Sequence, residues 1–435
     1  MSSADSARPA PAFASPTPDA SPTPDASPTP DASPTPNPSD TPRTSLIRTG
    51  GWPFLITSFI GRVPASTLQL GLLLYVSASG LGLGLGGLTI AAIGIGSALS
   101  APMIGRLADR YGPLPVIASC TVIQVLGLLG IYTAVNGGAG APVVLGCAAV
   151  VGFANPQTGP IARAHWSRLA RQHRTPDLIR TALGYESAVD ELGFILGPVL
   201  ASLLVGLLGP NPALWVMLAF TVLGQGLFLA YLATRRNTRT PRETTSPEGE
   251  RIRLPWAAMW SPVLSVFAAG TTFGATQTAL TAVFDERGRP ELTGLVYGCV
   301  GVGSAIASLL VVRLSPRVPL GVRVLGGGVL VLIGGLAMMT LPAVGPAIAI
   351  SILLGLGVGS IIVSSYTRME QIAPSRRLSS MMTLLATGLT LGISAGAAVA
   401  GWLAREPAHG FWPTAVAGVL AIVAGVSFRF GRARD

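Results

Sequence analysis

The sequence predicts an all-α polytopic membrane protein of the following kind: twelve transmembrane helices as two six-helix bundles, with the N- and C-termini cytoplasmic. Three observations predict it. First, 49% of the 435 residues are hydrophobic and only 11% charged, with a mean hydropathy of +0.58, whereas soluble domains carry about 25% charged residues. Second, the apolar residues gather in runs of the ~20 residues that span a hydrocarbon layer. Third, arginines crowd alternate connections between those runs, the pattern that sets orientation in a bilayer. The net charge of +10 is carried by Arg alone, since no Lys occurs. A basic balance can signal nucleic acid or membrane; arginines placed between apolar spans point to the membrane and away from nucleic acid.

Residues 1–48 read as a disordered Pro-rich tail. The hexapeptide SPTPDA recurs from Ser15, and proline at alternate positions forbids helix and favours extended, solvated backbone. The tail lacks the basic start of a signal peptide. An N-terminal bundle is expected over 49–233, with spans near Trp52–Ser77, Leu85–Ile104, Val116–Val135, Ala141–Ile161, Thr181–Leu208 and Ala213–Ala233. An Arg-rich linker, 234–256, interrupts. A C-terminal bundle over 257–430 follows, with spans near Ala257–Phe284, Leu292–Val312, Gly321–Leu341, Val344–Thr367, Ser379–Leu403 and Phe411–Phe428. Residues 431–435 form a short tail. Arg106 and Arg110, Arg163 to Arg180, Arg235 to Arg253, Arg313 to Arg323, Arg368 to Arg377 and Arg429 to Arg434 fall on one side. Connections 79–84, 136–140, 209–212 and 342–345 carry no charge. The positive-inside rule puts the arginine side in the cytoplasm.

The fifth span holds the costliest residues. It reads TALGYESAVDELGFILGPVLASLLVGLL and carries Glu186, Asp190 and Glu191. An acid at bilayer depth costs about 2.5–3.5 kcal/mol on insertion scales and normally faces protein or a wet cavity. Helical spacing puts Glu186, Asp190, Gly193 and Gly197 on one stripe, a face suited to close helix packing. Glu191 lies roughly 100° round the helix. Arg62 lies ten residues past Trp52 in the first span, so ~15 Å into the layer, and the fifth-span acids enter from the same side to similar depth. Arg62 is therefore expected to pair with Asp190 or Glu191, and the four residues are candidates for taking up and releasing protons. A permanent structural ion pair is the alternative.

Between the second and third spans stands GRLADRYG, with Gly105, Asp109, Arg110 and Gly112. Twelve spans as six plus six with this turn resemble the major facilitator superfamily (MFS). The resemblance implies a cytoplasmic latch between the two halves and alternating access to a midplane site. In the fifth span Gly184, Gly193, Gly197 and Pro198 resemble the Gly-x8-Gly-x3-Gly-Pro signature of drug/proton antiporters in that superfamily, which implies a packing and bending role at the domain interface. The lysine-free sequence fits a GC-rich, actinobacterial type. The Arg that many of these antiporters carry in the fourth span has no counterpart in LGCAAVVGFANPQ from Leu145.

The resemblance also implies that the first, fourth, seventh and tenth spans line the cavity. Gln69, Asn155, Gln157, Thr272, Thr276, Gln277, Ser364 and Ser365 are then the candidate contacts, although for any single one interhelical hydrogen bonding is the more ordinary role. Asn155–Pro156 suggests a broken helix. Charge-poor spans suit a small amphiphilic cargo. His165, His173 and His409 show no ligand spacing, Cys120, Cys147 and Cys299 lie within apolar runs, and no nucleophile–base set occurs. The expectation is a monomeric transporter, not an enzyme, with no cofactor or metal, whose partners are a small-molecule substrate, protons and the lipid bilayer. Proton-coupled efflux is the leading reading. An uptake symporter and a non-transporting receptor or scaffold that docks partners through the tail are the alternatives.

Overall fold

The computed structural model describes residues 46–156, 158–173, 176–234, 256–313, 317–373 and 378–428, and all regular structure among them is helical. The expected Pro-rich tail, apart from its last few residues, the interior of the linker, and the C-terminal tail lie outside the described residues. The helices in order are α1 (Leu46–Gly50), α2 (Trp52–Ile60), α3 (Val63–Val76), α4 (Leu83–Tyr111), α5 (Pro113–Asn136), α6 (Ala141–Phe153), α7 (Thr158–His173), α8 (Pro176–Leu208), α9 (Pro210–Thr234), α10 (Trp256–Glu286), α11 (Glu291–Arg313), α12 (Leu320–Met338), α13 (Val344–Ile372), α14 (Leu378–Leu403) and α15 (Trp412–Ser427).

By length and apolarity alone, 10 helical segments among the described residues are able to cross a membrane. Two expected spans depart from that simple form. The fourth divides into α6 and α7 at Asn155–Pro156, because proline removes a backbone donor and restrains the residue before it. The seventh, α10, is too rich in threonine. Its polarity is absorbed locally: Thr271, Thr272, Thr278 and Thr281 donate to the carbonyls of Phe267, Ala268, Gly274 and Gln277, one turn back. Such back-bonding satisfies a hydroxyl where water is absent.

The first span is also broken, which its apolar run did not predict. Gly61 and Arg62 separate α2 from α3, with Pro64 in the first turn of α3. The break is fitted, not loose. A Cβ on Gly61 would press on Phe228 and Thr158, and the Gly61 carbonyl accepts a 2.7 Å hydrogen bond from Gln225 Nε2 of α9.

Helices α2–α9 form one half and α10–α15 the other. Within the second half, α10 packs on α14, α11 on α13 and α12 on both α13 and α15. The two halves meet chiefly through α4 with α14 and α8 with α11, a pseudo-symmetric pair of seams. Backbone proximity makes both. A Cβ on Gly87 would strike the Ala397 carbonyl, and one on Gly294 would strike the Pro198 carbonyl. Small residues allow such crossings where no water drives association.

Both seams close at one end and part at the other. Along α4, Gly87 and Gly94 are buried, Ala98 and Ala101 half-buried, and Gly105 exposed. Along α8, Ser202 and Pro198 are buried, Ile195 and Glu191 half-buried, and Ala188 and Gly184 exposed. Leu70, Leu73, Leu74, Ile90, Val205 and Ala397 form an apolar cluster across the closed end. The parted end is the one with the Arg-rich connections.

Candidate functional site

An ionic cluster occupies the arginine-side half of the first bundle, where the two broken helices lie against α8. Arg62 sits at the α2–α3 break as the residue before α3. Its side chain reaches α8, pairing with Glu186 and standing 3.5 Å (Nη1 to Oδ1) from Asp190. Arg163 of α7 pairs with the other Asp190 oxygen. Trp166, one turn along α7, donates Nε1–H to Glu186 Oε1 at 2.7 Å. The chain thus brings one cation and one indole from the arginine-side part of the broken fourth span to the acids of the fifth.

The two paired acids differ in setting. Glu186 is 0% exposed and has a partner on each oxygen. Trp166, also fully buried, is packed edge-on by Phe54 with ring centroids 5.0 Å apart. A Cβ on Gly50 would collide with its ring. A charge pair closed in this way has no room to exchange partners. The Asp190 side chain is 33% exposed and Arg163 38%, so that pair opens onto the space between the halves. Arg62 is buried, and its Nε and Nη1 make no hydrogen bond. Arg62 thus pairs with Glu186 as well as with Asp190, one of its two expected partners, and Glu191, the other, stands outside the ion pairs of the described residues.

Glu191 faces elsewhere for a geometric reason. Gly193 and Gly197 turn toward Ser66 of α3, while Ile195, Pro198 and Ser202 turn toward α11. Glu191 shares the α11 stripe, one turn from Ile195, at the level where the seam begins to open. Between the two stripes lies the direction of the central cleft, and Asp190 and Phe194 occupy it. Phe194 is 53% exposed. Its ring lies parallel to that of Phe273 of α10, at 9° with centroids 6.3 Å apart, so the two halves meet there through aromatic side chains.

The remaining expected site residues are placed as follows. Of the fifth-span signature, Gly193 and Gly197 pack on α3 within their own half, Gly184 has open space before it, and Pro198 alone meets the other half. At the turn after α4, Gly105 also has open space before it and Arg110 lies over the Tyr111 ring at 5.2 Å. Gly112 supplies the positive φ of 89° that starts α5. The Asp109 side chain lies outside the described residues, as does Gln157. In this conformation the turn makes no latch through Gly105.

Asn155 Nδ2 bonds Ser97 Oγ of α4 at 3.2 Å, and Gln69 is half-buried on α3. Thr276 pairs with Thr414 at 3.2 Å, and Ser365 with Ser265 at 2.7 Å. Both contacts are interhelical hydrogen bonds within the second half. Thr272, Gln277 and Ser364 are fully or almost fully buried there. Sequence reasoning missed Gln225, 1% exposed, which donates to the Gly61 carbonyl and accepts from Thr158 Oγ1 at 3.3 Å. One amide therefore ties together the breaks of the first and fourth spans. A lone Gln in an apolar run was the only signal for it. It missed Phe194 and Phe273 too, because aromatics are ordinary in apolar helices.

Helices in two halves around a cleft, with ionisable groups inside the bundle, define a membrane transporter. The chain belongs to the Major Facilitator Superfamily, whose model matches residues 12–179, 54–350 and 263–435. It is accordingly a multi-pass membrane transporter rather than an enzyme. One curated relative, an uncharacterized MFS-type transporter y4rN of Sinorhizobium fredii, is 25% identical over 365 residues, covering 79% of this chain and 84% of that one. That relative gives no support to an actinobacterial type. Among solved structures, a bacterial homologue of the iron transporter ferroportin in an inward-facing state superposes with TM-score 0.68 at 15% identity, covering 89% of this chain and 100% of that one. The nucleoside transporter NupG superposes with TM-score 0.65 at 14% identity, covering 87% and 98%. A bacterial homologue of the lysosomal transporter Spinster, inward-facing and occupied, gives TM-score 0.64 at 14% identity, covering 89% and 97%. These likenesses establish the fold.

Proposed function

We propose that the chain crosses the membrane twelve times as two six-helix bundles with cytoplasmic termini, and exports small amphiphilic molecules in exchange for protons by alternating access. The arginine-rich end faces the cytoplasm on this reading, and the conformation described is inward-facing. The single observation that carries the coupling is the position of Glu191. It is a partly buried carboxylate that pairs with no cation among the described residues, on the stripe that meets α11, at the level where the seam opens. When the seam closes over it, a bare charge would be stripped of water at a cost of several kcal/mol, and taking up a proton removes that cost. When the seam opens, water favours the charged form and the proton leaves. Asp190, between Arg62 and Arg163, is the second acid that opens onto the cleft, whereas Glu186 is closed into the scaffold.

An amphiphilic cargo is supported by the same cleft. Its second-half walls carry no charged residue along the spans from Ala257 to Phe284 and from Leu292 to Val312, while the first half presents Asp190 and Arg163 beside Phe194. The test is flux from proteoliposomes loaded with a panel of cationic, neutral and anionic amphiphiles, with and without a proton gradient. Gradient-dependent flux of at least one member is expected in the unmodified protein. Glu191→Gln should make flux indifferent to the gradient, and Asp190→Asn should reduce its dependence. Full coupling in both variants would sink the proton assignment.

A further inference from the structure

We propose that Asp190 and the Phe194–Phe273 pair form a seat for a planar aromatic cation, and that Arg163 is the internal cation that holds this seat while cargo is absent. This rests on the transport reading above and names the cargo chemistry of its cleft.

Four observations lead to it. Phe194 and Asp190 are one turn apart on α8, both in the sector between the α3-facing and α11-facing stripes, so both look into the cleft. The parallel rings of Phe194 and Phe273 offer a flat apolar wall built by both halves, and 53% of Phe194 is uncovered. The first-half charges gathered around Asp190 are Arg62, Arg163, Glu186 and Glu191, and of the acids Asp190 is the one that both arginines touch. Of the second-half spans, Ala257–Phe284 and Leu292–Val312 carry no charge, and α13 carries Arg368 two residues beyond Tyr366. Finally, the two arginines that touch Asp190 are unequal. Arg62 is buried, fixed by Glu186, and holds Nη1 3.5 Å from Asp190. Arg163 is 38% exposed on its side chain and lies near Tyr366 of α13 in the second half.

The physics follows from that inequality. Arg163 can leave Asp190 at small cost, because a half-exposed ion pair is worth little. An incoming aromatic cation replaces its charge on Asp190 and lays its ring against Phe194, gaining cation–π and apolar contact that an arginine tethered to α7 does not make there. Arg62 keeps Asp190 oriented throughout. The released Arg163 guanidinium has Tyr366 close by across the cleft, so cargo entry would move a cation toward the opposite half. An anion would reverse these roles: it would need Arg163 as its partner and would meet the Asp190 carboxylate left without it.

The experiment is equilibrium binding of ethidium, a planar aromatic monocation, to the full-length protein in nanodiscs without any gradient. Uncharged phenanthridine and the anion 1-anilinonaphthalene-8-sulfonate serve as comparisons. Ethidium should bind more tightly than either. Asp190→Asn should weaken it at least tenfold, and Phe194→Leu, which keeps apolar volume, about threefold to tenfold. Arg163→Gln should tighten ethidium about threefold by removing the resident competitor; a merely structural Arg163 would not produce a gain. Ethidium binding that is unchanged or weakened by Arg163→Gln overturns the proposal, as does anion binding stronger than ethidium binding and lost in that variant. Thermal unfolding of each variant guards against misfolding, and Arg163→Lys, which keeps the cation, should restore the original ethidium affinity. Ethidium binding with this signature but no gradient-driven flux of any amphiphile would sink the efflux reading and leave the seat. Coupled flux of another amphiphile with no ethidium binding would do the reverse.

Discussion

Glu186 and Glu191 are five residues apart on one helix and do different work because of what surrounds them. Glu186 is closed in by Arg62 and Trp166. Removing its charge strands a buried guanidinium, a change that typically costs about 3 kcal/mol or more. Glu186→Gln should therefore lower the thermal unfolding temperature markedly, whereas Glu191→Gln should leave it nearly unchanged while altering coupling. Equal unfolding temperatures for the two variants would contradict the division of roles. Gln225 makes a parallel case among neutral groups. Gln225→Leu leaves the Gly61 carbonyl without its donor inside the bundle, at a cost of about 1–3 kcal/mol. The expected loss is seen by chemical or thermal unfolding, with partial recovery in Gln225→Asn. The charged residues were legible in the sequence because charge in an apolar run is expensive and so has to be matched. That Glu186 is the nearer partner of Arg62 was not legible, since Glu186 and Asp190 share a stripe and differ only in depth, and depth depends on where α3 begins after its break.

At the scale of helices, the seams rest on backbone contact. Gly87 of α4 lies against the Ala397 carbonyl of α14, and Gly294 of α11 against that of Pro198 in α8. Gly87→Val should wedge the closed end apart without disturbing either half's own core, moving the population toward the opposite conformer; an increase in the labelling rate of a cysteine introduced at Ala397 would report it, and an unchanged rate would argue against the seam as drawn. Helix boundaries were read closely where composition changes sharply, as at Leu403 and Leu208. They were missed where the cause is tertiary. The α2–α3 break is stabilised by Gln225 and fitted against Phe228, residues more than 160 positions away. The fifth-span glycines were read as an interface between halves from a motif alone. Gly193 and Gly197 instead seat α8 on α3, and the glycines that bring α11 up to α8 are Gly294, Gly298 and Gly301.

For the whole molecule, the graded exposure along α4 and α8 describes one end sealed by an apolar cluster and the other parted, with the ionic cluster and the Phe194–Phe273 contact between them. Close packing makes such an arrangement bistable rather than continuously deformable, so opening one end requires closing the other. The central claim is that the two halves rock in this reciprocal way. The most direct measurement uses paired spin labels in lipid nanodiscs, one pair at Met103 of α4 and Thr383 of α14 on the arginine side, the other at Leu88 of α4 and Trp402 of α14 on the sealed side. Distance distributions taken across a range of pH should show the two pairs changing in opposite senses, the Met103–Thr383 distance shortening as the Leu88–Trp402 distance lengthens. Both distances changing in the same sense, or neither changing at any pH, would contradict the account.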